Sequence, residues 1–178
     1  MAEQDDTSPA ARLRLLETYH LTPRRGTQHH RRPTGGPPGL PIRVNVYDHL
    51  QKTLEEATDF TRDANPSARP RPAQLHQVYR WLVEETPDLD AARQRARDAL
   101  IYRQGMEHAI LMGDHKVVRP HPCPSCGTWG LHWNKTLETV VCVHRRCTDD
   151  NGVSSKWTLA EIADAHVERR ETSRRRAT

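Results

Sequence analysis

His121-Pro122-Cys123-Pro124-Ser125-Cys126-Gly127 and, with fifteen residues between Cys126 and Cys142, Cys142-Val143-His144-Arg145-Arg146-Cys147 hold all four cysteines of the chain. The pattern is C-x2-C followed by C-x4-C. Two short cysteine hairpins at this separation deliver thiolates in pairs to one point, as a tetrahedral ion requires. Pro122 and Pro124 stiffen the first hairpin, and Gly127 follows its second cysteine, where positive φ is often needed. The reading is a zinc site with Cys123, Cys126, Cys142 and Cys147 as ligands. His144 could replace one of the later cysteines and His121 could replace Cys123, since three cysteines and a histidine also hold zinc.

Between the hairpins, Trp129, Leu131 and Trp133 alternate with Gly130 and His132 as in a strand. Asn134-Lys135-Thr136 reads as a turn, and Thr139-Val140-Val141 is β-branched and leads into Cys142. Hairpin, strands and hairpin make a zinc ribbon. Four thiolates leave no coordination position for water or substrate, so the expected ion is structural. So small a module has little core of its own and is expected to depend on the metal.

Two disulfides would suit an oxidising compartment, but the acidic start Met1-Ala-Glu-Gln-Asp-Asp6 has no apolar stretch of the secretory type. No βαβ pattern surrounds the C-x-x-C pair, as a redox site would have. No apolar run reaches the length of a membrane span, so the expected location is the cytoplasm. The hydrophobic share is 35%, with 13 prolines and 9 glycines among 178 residues, which argues that part of the chain is unpacked. The formal charge of +4 is modest. Residues 116–157 carry six basic and three acidic side chains, and residues 41–115 carry ten and twelve, so the cationic part is the ribbon.

Outward from the ribbon the chain divides into four parts: a disordered arm and linker (1–41), a helical bundle (42–115), the ribbon (116–157), and a short helix with a disordered basic tail (158–178). Within the arm, residues 8–21 could form a short helix with Ser8 as N-cap and Pro9 at its first position, marginal if isolated. Residues 22–41, rich in Pro and Gly, read as a linker, His29-His30-Arg31-Arg32 included. A helix is predicted over 43–64, with Val46, Tyr47, Leu50, Leu54, Ala57 and Phe60 on one side. A second runs over 73–85 through Leu75, Val78, Tyr79 and Leu82. Thr86 and Pro87 then offer a cap and first position for a third helix, which runs to Met112 and stops at Gly113. These three make the bundle, with Trp81, Phe60 and the tyrosines as its core. At about 70 residues it is small enough to need the ribbon or a second copy for support. Thr158 and Glu161 form a capping box for the exit helix. The fold class is therefore mainly α with a small β zinc ribbon.

The segments Val46-Tyr-Asp-His-Leu50, Trp81-Leu-Val83 with Pro87-Asp-Leu89, the CPxC hairpin and Trp157-Thr-Leu-Ala-Glu-Ile-Ala163 together resemble small zinc-ribbon proteins of actinobacteria and their phages. The resemblance covers residues 43–167. In longer members the exit helix opens a helix-turn-helix, which implies DNA binding. Here no room follows for a second, base-reading helix, so a sequence-specific repressor is not expected.

The functional expectation is an accessory protein for nucleic acid, DNA rather than RNA, in transcription or replication. Lys135, Arg145, Arg146 and Lys156 would meet phosphates from the ribbon, and Arg174, Arg175 and Arg176 from the tail. Trp129 and Trp133 are most simply the ribbon's own core, though an exposed one could stack on a base. The alternative is an adaptor that docks a protein partner or a second copy through ribbon and bundle. Catalysis is not expected. Pro122-Cys123-Pro-Ser-Cys126 matches half of a zinc-deaminase signature, but no H-x-E lies upstream, and two more cysteines close the site.

Overall fold

The computed structural model describes residues 8–18 and 44–177. Among the described residues are five α-helices and a three-stranded antiparallel sheet: α1 (Pro9–Leu16), α2 (Val44–Ala64), α3 (Val78–Glu85), α4 (Ala91–Leu111) and α5 (Leu159–Ala177), with β1 (Leu131–Asn134), β2 (Thr139–Cys142) and β3 (Lys156–Trp157). The mainly helical class with a small β ribbon is as read from the sequence. The proposed linker, residues 22–41, lies outside the described residues.

Helix α4 is the spine. Ala99 and Met106, flanked by Tyr102 and Ile110, pack with the ribbon and α5. Leu100, Ile101 and Leu111 pack with α1, α2 and α3. One helix thus carries two apolar faces, each completing a different hydrophobic cluster. Its main partners are α5 and α1 rather than α2 and α3, so the expected three-helix bundle is replaced by a larger helical assembly.

Helix α1 is part of that assembly, which corrects the reading of residues 8–18 as a disordered arm. The Ser8 side chain accepts a hydrogen bond from the Ala11 amide at 3.1 Å, Pro9 takes the first turn, and Leu13 and Leu16 are fully buried. Gly105 of α4 permits this docking. A Cβ there would lie 2.8 Å from Pro9 Cγ, and the Gly105 carbonyl accepts from Arg12 Nη1 at 3.1 Å.

Helix α4 begins later than Thr86-Pro87 suggests. Asp90 is the cap, accepting from the Arg93 amide at 2.8 Å. Thr86 instead ends α3: its hydroxyl donates to the Leu82 carbonyl, and its own carbonyl accepts from Arg97. The far end is as expected. Gly113 has φ 93°, and the amides of Gly113 and Asp114 reach back to the carbonyls of Ile110 and Ala109, which ends the helix with its last acceptors satisfied.

In the sheet, Leu131 pairs with Cys142, Trp133 with Val140, and Val140 with Trp157. Period-2 alternation puts these residues on one face, which is buried against Met106, Val118, Ile162, Ala163 and Val167. The ribbon has no private core. It borrows one from α4 and α5, supplying the support that a small helical layer needs. Helix α5 runs antiparallel to α4, as Arg95–Glu171 at one end and the Tyr102–His166 stack further along require. Thr158 and Glu161 form its reciprocal cap: the Thr158 amide donates to Glu161 Oε2 at 2.7 Å, and the Glu161 amide to Thr158 Oγ1 at 3.2 Å. The helix continues to Ala177, which corrects the reading of its arginine-rich end as a disordered tail.

Candidate metal centre

The first cysteine hairpin is shaped by two backbone bonds, Gly127 N–H to the Cys123 carbonyl and Cys123 N–H to the Thr128 carbonyl, each 2.9 Å. Gly127 has φ 69°, so a side chain there would be strained. The second forms where β2 ends. Cys147 N–H bonds the His144 carbonyl at 2.9 Å, while Ser155 N–H bonds the Cys147 carbonyl and Cys142 N–H the Ser155 carbonyl, each 3.0 Å. The segment before β3 thereby clamps both later cysteines.

The four sulfurs converge. Cys123 Sγ lies 3.7 Å from Cys147 Sγ, Cys126 Sγ lies 3.8 Å from Cys142 Sγ, and all four fall within 4.8 Å of one another. A disulfide needs about 2.05 Å. A zinc ion with Zn–S bonds of about 2.3 Å and tetrahedral angles needs edges of about 3.8 Å, which matches both separations. The donor set therefore fits a tetrahedral thiophilic ion such as zinc.

The electrostatics of the sulfurs agree. The Thr128 hydroxyl, 2.9 Å from Cys126 Sγ, and the Thr128 amide hold that thiol down to about 6. Burial pushes Cys142 up to about 12. A buried thiolate needs a cation beside it, and a dication between the four sulfurs supplies one. Ser155 Oγ stands 3.3 Å from Cys147 Sγ.

Neither histidine joins the centre. His144 is exposed and lies outside the cluster. His121 is buried and occupied otherwise: its Nδ1 is 3.0 Å from the Val118 carbonyl, an obligate acceptor, so Nδ1 carries the proton. Nε2 then accepts from the Tyr102 hydroxyl at 2.8 Å. The side chains that the structure brings together are thus the four cysteines.

The two tryptophans part company. Trp133 is in the core, whereas Trp129 is 70% exposed. Gly130, at φ 149°, breaks the strand alternation between them, and a Cβ on it would meet Val143 Cγ2 at 2.8 Å. Val143, itself exposed, donates its amide to the Gly130 carbonyl. Trp129 and Val143 thus flank the glycine beside the centre.

Lys135, Arg145, Arg146 and Lys156 are all exposed, as are Arg174, Arg175 and Arg176. They do not form one patch. Arg145 and Arg146 sit in the second cysteine hairpin. Lys135 sits in the turn at the opposite end of the β1–β2 ladder, and Lys156 on β3 shares the outer sheet face with His132 and Val141.

Two histidine–tyrosine clusters went unseen in the sequence. Tyr102 stacks on His166 at 4.0 Å between centroids, with His121 edge-on to both. His108, fully buried, lies 2.8 Å from the Tyr79 hydroxyl and 2.8 Å from His49 Nε2, tying α2, α3 and α4 together. Each joins residues far apart in the chain, so no local spacing announced it.

No protein-family model, curated protein or solved structure matches the chain. Among the described residues no helix is long and apolar enough to cross a membrane.

Proposed function

We propose that this is a nucleic-acid-contacting protein whose four cysteines hold one structural zinc ion. The observation that carries the proposal is Trp129, an indole left in solvent next to the sulfur cluster, with Arg145 and Arg146 in the neighbouring hairpin. An exposed ring, with cations in the next hairpin, suits an unpaired base and its flanking phosphates. With four sulfurs around it, the ion has no open position, so its role is to hold the hairpins in place, and no catalytic step is assigned to it.

One observation favours a second reading. Val143, Leu137 and Val153 are also exposed, and an apolar ribbon surface suits a protein partner. Salt separates the two. Single-stranded DNA and RNA oligonucleotides would be titrated against the zinc-loaded protein, with tryptophan fluorescence as the readout, at two salt concentrations. Quenching that weakens steeply with salt and disappears in Trp129→Ala supports nucleic-acid contact. No quenching at low salt refutes it and leaves the docking surface.

A further inference from the structure

Away from the sulfur cluster, a cleft of about 360 Å3 opens between α1, α4 and α5. Pro9, Asp98, Tyr102, His166, Arg170 and Arg174 are among its walls. His166, Arg170 and Arg174 recur every four residues, so one stripe of α5 supplies a histidine and two guanidinium groups to the same cleft. A second cleft on the other side of Pro9 and Tyr102 adds Arg12 and Lys116.

The carboxylates here are already engaged. Asp98 is 3.1 Å from Arg97, and Glu171 is 3.7 Å from Arg95. Asp114, in the second cleft, accepts the Lys116 amide. Among the described residues, Arg12, Arg169, Arg170 and Arg174 have no carboxylate within ion-pair distance. Arg169 adjoins Arg170 on α5 and lines neither cleft, but its charge acts on the same rings. The field is felt locally. Burial first, then His121, Arg170 and Arg169, hold His166 down to about 4. Burial raises the Tyr102 hydroxyl, while Arg12, Arg170 and Arg169 oppose that shift.

We propose that this cleft is a phosphate-binding site, in which Arg170 and Arg174 grip the oxyanion from α5 beside Tyr102 and His166, while Arg12 in the adjoining cleft and Arg169 next to Arg170 add charge nearby. Guanidinium groups bind phosphate through paired, charge-assisted hydrogen bonds, and a cleft with its carboxylates occupied elsewhere favours a polyanionic oxygen group over a cation. The site stands apart from the ribbon, so it holds whether or not Trp129 meets a base.

The test is a titration of the full-length, zinc-loaded protein with inorganic phosphate against chloride at matched ionic strength. Nitrogen–proton spectra would follow the arginine side chains, and the ring signals of His166 would be followed alongside. Saturable shifts at Arg170, Arg174 and His166, specific to phosphate, are expected. Arg170 and Arg174 are exposed, so Arg170→Gln with Arg174→Gln should leave the fold intact while weakening phosphate affinity at least about tenfold. A short oligonucleotide added to the phosphate-bound protein identifies the source. Displacement means a nucleic-acid backbone fills the cleft, and persistence means a smaller phosphate compound does. Shifts no larger than in chloride, or equal binding by the double variant, would overturn the assignment.

Discussion

Removing the metal should cost more than the ribbon. The inner sheet face, with Leu131, Trp133, Val140 and Trp157, is one wall of the cluster that buries Ile162, Ala163 and Val167 of α5. With the ion gone, three buried sulfurs lose the charge that stabilised them, and the two hairpins lose the tie that sets β1 against β2. Structural zinc sites contribute on the order of 10 kcal/mol of apparent folding free energy. That exceeds what three strands of four, four and two residues can supply alone. Helix α5 then loses its apolar support, and a surface helix without packing is marginal. It has 19 residues against 21, 21, 8 and 8 in the other helices, so its loss removes about one quarter of the helical signal. The assay is chelator titration under reducing conditions, with metal quantified and far-UV circular dichroism recorded. A fall of at least that size, reversed by zinc, is expected, because α4 also loses the neighbours of its ribbon-facing side. Stoichiometric metal should survive in His144→Ala and be lost in Cys147→Ala. If the metal-free protein keeps its full helical signal, or the reduced protein never contains metal, the reasoning fails.

The tryptophans offer a paired comparison. Trp133→Ala should cost about 3–5 kcal/mol as a core truncation, whereas Trp129→Ala should change stability by less than about 0.5 kcal/mol; denaturant unfolding measures both. Gly105→Ala should destabilise by about 1–3 kcal/mol, because the new methyl meets Pro9 and pushes α1 off α4; thermal melting with and without residues 1–18 tells this from a loss internal to α4. Acid should weaken the fold through the buried histidines. Burial holds His108 at about 3 and His49 at about 4, against about 6.5 in the unfolded chain. The unfolded state therefore binds more protons in that window. The stabilisation is full above about pH 6.5 and lost as pH falls toward 4, at up to about 1.4 kcal/mol per pH unit for each histidine. His108→Gln should flatten that dependence in unfolding experiments, even if it lowers stability overall.

What the sequence disclosed followed from how local each signal was. The cysteine spacing, the Gly113 stop and the Thr158–Glu161 cap each involve residues a few positions apart, and each stands as read. Thr86-Pro87 misled because the local signal for a cap is the same whether the hydroxyl looks forward or back. The structure has Thr86 closing α3 while Asp90 opens α4. The end of α5 read as a tail because its arginines have no apolar period, yet its Glu171 meets Arg95. Trp129 and Trp133 looked equivalent by period, and only the positive φ of Gly130 separates them. The paired faces of α4 were hidden because Ala99, Leu100, Ile101 and Tyr102 are consecutive, and a run of apolar residues does not say how many neighbours it serves.

Because one rod forms a wall of both oily compartments, the described residues have no seam along which to come apart. Loosening either compartment frees a side of that rod which the other compartment relies on, so heat or denaturant should take the described parts down together. A truncated chain carrying only the cysteine-rich end, cut free of residues 91–111, would leave Leu131, Trp133 and Ile162 facing water and should be recovered as aggregate rather than as a working fragment.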